Sequence, residues 1–123
     1  MEGESRKRFI IEFGMGMDLH GQDISKAAAK AVKDAVSRSC LCGLEEVLGI
    51  KDLNTSVEIE VTVAVSRPEE VDDRKIKEQL PIGSVKVEAV KGGLTIPGLY
   101  IPAFGDNDNT IEAALACVEV FIL

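Results

Sequence analysis

Two stretches of the chain alternate between apolar and other residues. From Phe9 to Leu19 every odd position is apolar (Phe9, Ile11, Phe13, Met15, Met17, Leu19), while the even positions read Ile10, Glu12, Gly14, Gly16 and Asp18, followed by His20. From Val57 to Val65 the odd positions are Val or Ile and the even ones are Glu58, Glu60, Thr62 and Ala64. Successive side chains of an extended chain point to opposite faces, so both stretches are half-buried strands. On this pattern the odd face of the first strand is core, and Asp18 and His20 lie on the other face, away from the helices. A slip of one residue would expose six apolar side chains at about 1.5–3 kcal/mol each for the larger ones.

Between and after these strands the period changes. Asp23 is a good N-cap, and Ile24, Ala27, Ala28, Ala31, Val32, Ala35 and Val36 recur at helical spacing. The stripe is mostly Ala and Val, so this helix can lie close to a sheet. Gly43 and Gly49 bracket a short apolar turn, Leu44 to Leu48. Pro68 opens a helical stretch over about 69–79 that carries Val71, Ile76 and Leu80 inward and stops at Pro81. Val85, Val87 and Ala89 predict a third strand, with Lys91-Gly92-Gly93 as a hairpin turn returning through Leu94-Thr95-Ile96. Leu99 to Asn109 reads as a loop, and Ala114 to Ile122 as a final strand, apolar on both faces, whose lead-in from Ile111 reads as either helix or strand. Residues 1 to 6 are charged and expected to fray. The order of elements predicts an α+β fold of one domain over residues 1–123: a two-layer α/β sandwich with a mixed sheet and its helices on one face.

Composition narrows the function. A net charge of −7 argues against nucleic acid as a partner, because such binding rests on Lys and Arg neutralising phosphates. No apolar run approaches the length of a membrane helix, and the acidic start lacks the basic-then-apolar pattern of a secretory signal. Three cysteines, Cys40, Cys42 and Cys117, are too few for a disulfide framework. The expectation is a cytoplasmic protein with no membrane or nucleic-acid partner. Two helices cannot cover both the apolar last strand and the second sheet face, which predicts a homo-oligomer.

Candidate chemistry gathers at Gly14-Met15-Gly16-Met17-Asp18-Leu19-His20-Gly21, which holds the only histidine. Asp18 and His20, two apart on a strand, lie roughly 6.5–7 Å apart at Cα and could reach one ion. They are the candidate catalytic pair and the candidate ligands of a divalent metal (zinc, manganese or magnesium). A third ligand would come from Glu12, Asp23, Glu58, Glu60, Asp106, Asp108 or a neighbouring subunit. Without metal, the same pair is an oriented general base. Gly14, Gly16, Gly21 and Asp23 would shape a small-molecule site beside it, Asp23 as the helix cap.

The motif Gly14-x-Gly16-x-Asp18-x-His20-Gly21 resembles the signature of an uncharacterised family of small bacterial and plant proteins, and the likeness extends over nearly the whole chain. It implies a family without an assigned activity. The seven residues from Gly14 to His20 are also similar to the first strand of methylerythritol cyclodiphosphate synthase. That resemblance implies a chorismate-mutase-like domain, a trimer, and Asp18 and His20 as metal ligands; the second histidine of that enzyme's site has no counterpart in this chain.

Two functions follow as expectations. One is a small-molecule enzyme, a metal-assisted hydrolase or lyase, with Asp18 and His20 on the open sheet face near a subunit boundary. The other is a non-catalytic oligomerisation or ligand-binding module in which the glycine-rich motif is structural.

Overall fold

The computed structural model describes residues 6–123; the expectation for the first five residues lies outside them. Strand β1 (Lys7–Asp18) is followed by helix α1 (Ile24–Val36), two single-turn helices α2 (Gly43–Glu46) and α3 (Leu53–Ser56), and strand β2 (Val57–Val65). A 3-10 turn at Pro68–Glu70 and the short helix α4 (Asp73–Lys77) lead to strands β3 (Ser84–Lys91), β4 (Leu94–Pro97) and β5 (Thr110–Ile122). The sheet runs β1-β5-β2-β3, with β2 and β3 parallel and β5 antiparallel to both β1 and β2. All helices pack on one face, as expected for the α+β sandwich.

Strand β5 is central, which is why it is apolar on both faces, and it extends back to Thr110, so its lead-in is strand. The stretch expected as one helix over 69–79 is split. Asp72, extended and accepting from the Arg74 N–H, restarts the chain as a new N-cap between the 3-10 turn and α4. Ile76 and Leu80 are buried as expected.

The Lys91-Gly92-Gly93 hairpin does not form. β4 pairs with β5 instead, from Leu94 opposite Ala113 to Pro97 opposite Thr110, continuing along the edge that β2 leaves at Ala64. A parallel β2–β3 pair already points β3 in the direction β4 needs, so the glycines carry the chain past the end of β2 rather than reversing it. Gly93 sits at φ +72 where an added Cβ would come within 2.3 Å of the Ala113 carbonyl oxygen.

The faces of β1 are opposite to expectation. Ile10, Glu12, Gly14, Gly16 and Asp18 face α1, while Ile11, Phe13, Met15, Met17 and Leu19 stay exposed. The cause lies in the glycines. A Cβ on Gly14 would stand 2.2 Å from the Ala31 carbonyl oxygen, and one on Gly16 would stand 2.3 Å from the Ala31 nitrogen. The Ala27-Ala31-Ala35 stripe of α1 therefore rests on strand backbone, and the buried contact is made by residues with little or no side chain. A bulge between Arg8 and Ile10 sets Phe9 apart from the other odd positions: its ring lies 3.6 Å from where a Cβ of Gly43 would be. In β2 the odd residues are core, as expected.

Candidate functional site

The motif turns the chain from β1 into α1. Gly21 takes φ +95 and Gln22 φ +52, so two consecutive residues are left-handed; this reversal returns the chain over the end of the sheet. Asp18, 2 % exposed, sits beneath the start of α1. Its Oδ2 accepts the Asp23 N–H at 2.8 Å, and the Lys26 ammonium lies 3.7 Å from its Oδ1. Asp23 caps α1 as expected, accepting the Lys26 N–H at 3.1 Å. Asp18 thus faces the helix layer, contrary to the expectation that it faces away.

His20 turns to a different partner. Its Nδ1 lies 2.8 Å from Asp106 Oδ2, and its ring forms a T-shaped pair with Phe104 at 5.0 Å between centroids. Asp106 also accepts the N–H groups of Gly21 (2.9 Å) and Ile101 (2.8 Å) and the side-chain amide of Gln22 (3.1 Å). Burial alone would push the Asp106 carboxyl up; the donors from His20, Ile101, Gly21 and Gln22 outweigh it and hold the carboxyl well below the usual range. An ionised Asp106 can only accept, so Nδ1 of His20 carries the hydrogen and Nε2 is the basic nitrogen. Gln22 completes the knot by donating to the Thr110 carbonyl at 2.8 Å and accepting the Asn107 N–H at 2.9 Å.

The structure therefore joins His20 to Asp106, and Asp18 to the α1 N-terminus, with no partner in common among the described residues. Of the other carboxylates weighed as ligands, Glu12 accepts from Ser39 Oγ–H at 2.6 Å, Glu58 and Glu60 pair with Arg6 at 3.0 and 2.8 Å, and Asp108 accepts the Thr110 N–H at 2.8 Å. Among the described residues no group of three or more His, Cys, Asp or Glu side chains is placed to hold a metal ion. Cys40 and Cys42 are exposed, and Cys117 is half-buried on the open face, where burial and the nearby Glu119 raise its thiol pKa.

Two residues escaped sequence reasoning. Gln22 carries no motif signal. Glu112, 2 % exposed, stands opposite Asp18 across β1 and β5 and is bonded by Ser66 and by Thr95 at 3.0 Å. Its place on the same face as Ala114, Ala116, Val118 and Val120, two residues before the first of them, was the available signal for Glu112.

The opposite face of the sheet holds the other candidate. Ile11, Phe13, Met15 and Met17 of β1, Leu115 of β5, and Leu94 and Ile96 of β4 are all exposed, and the registers Met15–Leu115, Leu94–Ala113 and Ile96–Ile111 put them on one surface. Phe13, 69 % exposed, borders a depression of about 460 Å³ lined by Met15, Thr62, Ala64, Leu115 and Cys117. At the free edge of β1, the Met15 N–H donates to Asp34 Oδ2 at 3.0 Å, and the Met17 carbonyl accepts from Lys30 Nζ at 3.1 Å.

The chain resembles an FtsZ-like protein of unknown function from Nostoc punctiforme PCC 73102, with 40 % identity, a TM-score of 0.86, and coverage of 95 % of this chain and 96 % of that one. A second solved structure, an FtsZ dimer from M. jannaschii, aligns with 88 % of this chain and 26 % of its own at 16 % identity and a TM-score of 0.27. Among curated proteins none matches. The family model of a conserved hypothetical protein matches residues 8–120, nearly the whole described chain, and on that match the chain belongs to the Lin0512_fam family.

Proposed function

We propose that this protein is a homo-oligomeric module that associates through the open face of its sheet, and that Gly14, Gly16, Asp18, His20, Gly21 and Asp23 build the fold rather than a catalytic centre. The observation that carries this reading is the apolar surface across β1, β5 and β4. Monomeric soluble proteins rarely leave so continuous a set of large apolar side chains in water. The occupant is a second copy of the chain. Asp34 and Lys30 already satisfy backbone groups on the β1 edge, which blocks extension of the sheet strand by strand and leaves face-to-face packing. In a two-fold arrangement each Phe13 enters the depression beside the other copy's Leu115, an isologous contact. The ion pairs Arg8–Glu119 and Arg6–Glu60 would form a polar rim. Wild-type protein at tens of micromolar is expected to sediment at a multiple of 13.2 kDa, and Phe13→Asp to shift it to the monomer mass with an unchanged circular dichroism spectrum. A wild-type mass of 13.2 kDa overturns the proposal.

A second reading, a small-molecule enzyme, is favoured by the His20–Asp106 pair, which supplies a tautomer-fixed base of the kind a lyase or hydrolase needs. The metal chemistry of the cyclodiphosphate synthase is not carried over, since Asp18 and His20 serve different partners. His20→Asn places an amide N–H where Nδ1 stands, keeping a hydrogen-bond donor for Asp106, and removes the base at Nε2. If the module reading holds, this variant assembles as wild type and binds zinc no differently. Stoichiometric zinc binding lost in His20→Asn would restore the enzyme reading.

A further inference from the structure

On the helix side of the sheet, away from the apolar face, lies a cavity of about 250 Å³. Its floor is Ile10, Ile59, Val118 and Val120; Val36 of α1 and Leu41 close one side, and the segment from Gln79 to Ile82 closes the other. The cavity exists because α1 covers β1 and β5 while α4 is too short to reach it. Its walls are aliphatic apart from Glu12, Ser39 and Gln79. Glu12 is fixed there, one carboxylate oxygen accepting the Ser39 hydroxyl at 2.6 Å. Among the described residues no Lys, Arg or His pairs with Glu12.

A carboxylate on the helix-facing side of a strand loses hydration, a cost normally met by a cation or by several donors. The carboxylates of the open face each have a cation: Glu58 and Glu60 of β2 have Arg6, and Glu119 of β5 has Arg8. Glu12 has one hydroxyl. We infer that this cavity binds a small cationic ligand, an amine carrying a single ring or a short aliphatic chain, with its ammonium on Glu12 and its apolar part against Val36, Leu80, Val118 and Val120. The volume fixes the size, since pockets for drug-sized ligands run about 300–1,000 Å³ and this one is smaller. The charge fixes the sign, since a carboxylate or phosphate ligand would meet Glu12 with no cation beside it.

The test uses 2-phenylethylamine, 2-phenylethanol and phenylacetate as probes on the full chain, read by methyl NMR titration. The amine is expected to bind saturably and shift the methyl signals of Leu41, Leu80 and Ile82 while leaving Leu94 and Leu115 on the open face unmoved. The alcohol should bind about tenfold more weakly and phenylacetate not measurably, because the ammonium adds a charge-assisted bond. Glu12→Gln should lower amine affinity about tenfold and leave the alcohol unchanged. Equal affinities for amine and alcohol, an unchanged amine affinity in Glu12→Gln, shifts confined to Leu94 and Leu115, or no saturable binding each overturn the inference. If Glu12→Gln unfolds, the comparison of amine with alcohol on wild-type protein decides alone.

Discussion

Gly16→Val is expected to remove the folded state, and Gly16→Ala to cost about 3 kcal/mol or more. The ordinary price of overpacking is moderate because neighbouring side chains can turn away. Here they cannot, since the atoms nearest an added Cβ on Gly16 are the Ala31 nitrogen at 2.3 Å and the Ala27 carbonyl oxygen at 2.5 Å, both helix backbone. The helix would have to retreat by about an ångström along its length, opening the contact that buries Ala27, Ala28, Ala31 and Ala35. Such a loss is a large part of the roughly 5–15 kcal/mol that holds a domain folded. Because the obstacle is backbone, trimming a side chain of α1 cannot relieve it: Ala27→Gly added to Gly16→Ala should give no recovery of the urea midpoint. Near wild-type stability in Gly16→Ala would mean that α1 does not rest on β1 as described.

The same contact explains what the sequence concealed. The parity of β1 is clear in the pattern, but parity alone does not say which face is core. Counting apolar side chains gave the odd face; the Ala-rich stripe of α1 held the contrary signal, because a helix of small residues buries most when its partner is smaller still. Two glycines at positions 14 and 16 are such a partner. For β2, where α1 meets ordinary Val and Ile side chains, the odd apolar face is the core, as counting predicts. The α1 cap at Asp23 was legible because capping is local chemistry. The pairing of β4 was not, since it depends on β2 ending at Val65 while β5 runs on, a fact of three strands rather than of the turn between two. His20 was visible as chemistry, but its partner Asp106 is 86 residues away in a loop, and proximity in sequence favoured Asp18 instead.

That loop leads to the second large effect: Asp106→Ala is expected to release the segment from Leu99 to Asn109 and to destabilise the whole chain. Asp106 accepts from His20, Gly21, Gln22 and Ile101, and each buried N–H left without an acceptor costs about 1–3 kcal/mol. Asp106→Asn separates shape from charge. Its amide has one acceptor oxygen where the carboxylate has two, so the amide nitrogen must face either the His20 and Ile101 donors or those of Gly21 and Gln22, and one pair is always opposed. Both variants should also change the response to acid. The folded carboxyl titrates below its unfolded value of about 3.9, so its contribution is present in full above that value and is lost as pH falls beneath it. Asp72 and Asp108 are lowered in the same direction by donors from Arg74 and Thr110, so some acid sensitivity persists without Asp106. The wild-type urea midpoint should therefore fall steeply below about pH 4, and that of Asp106→Asn, already lower at pH 7, should fall less over the same interval. Parallel curves for the two proteins would mean that Asp106 is not the charged centre of the knot that holds His20.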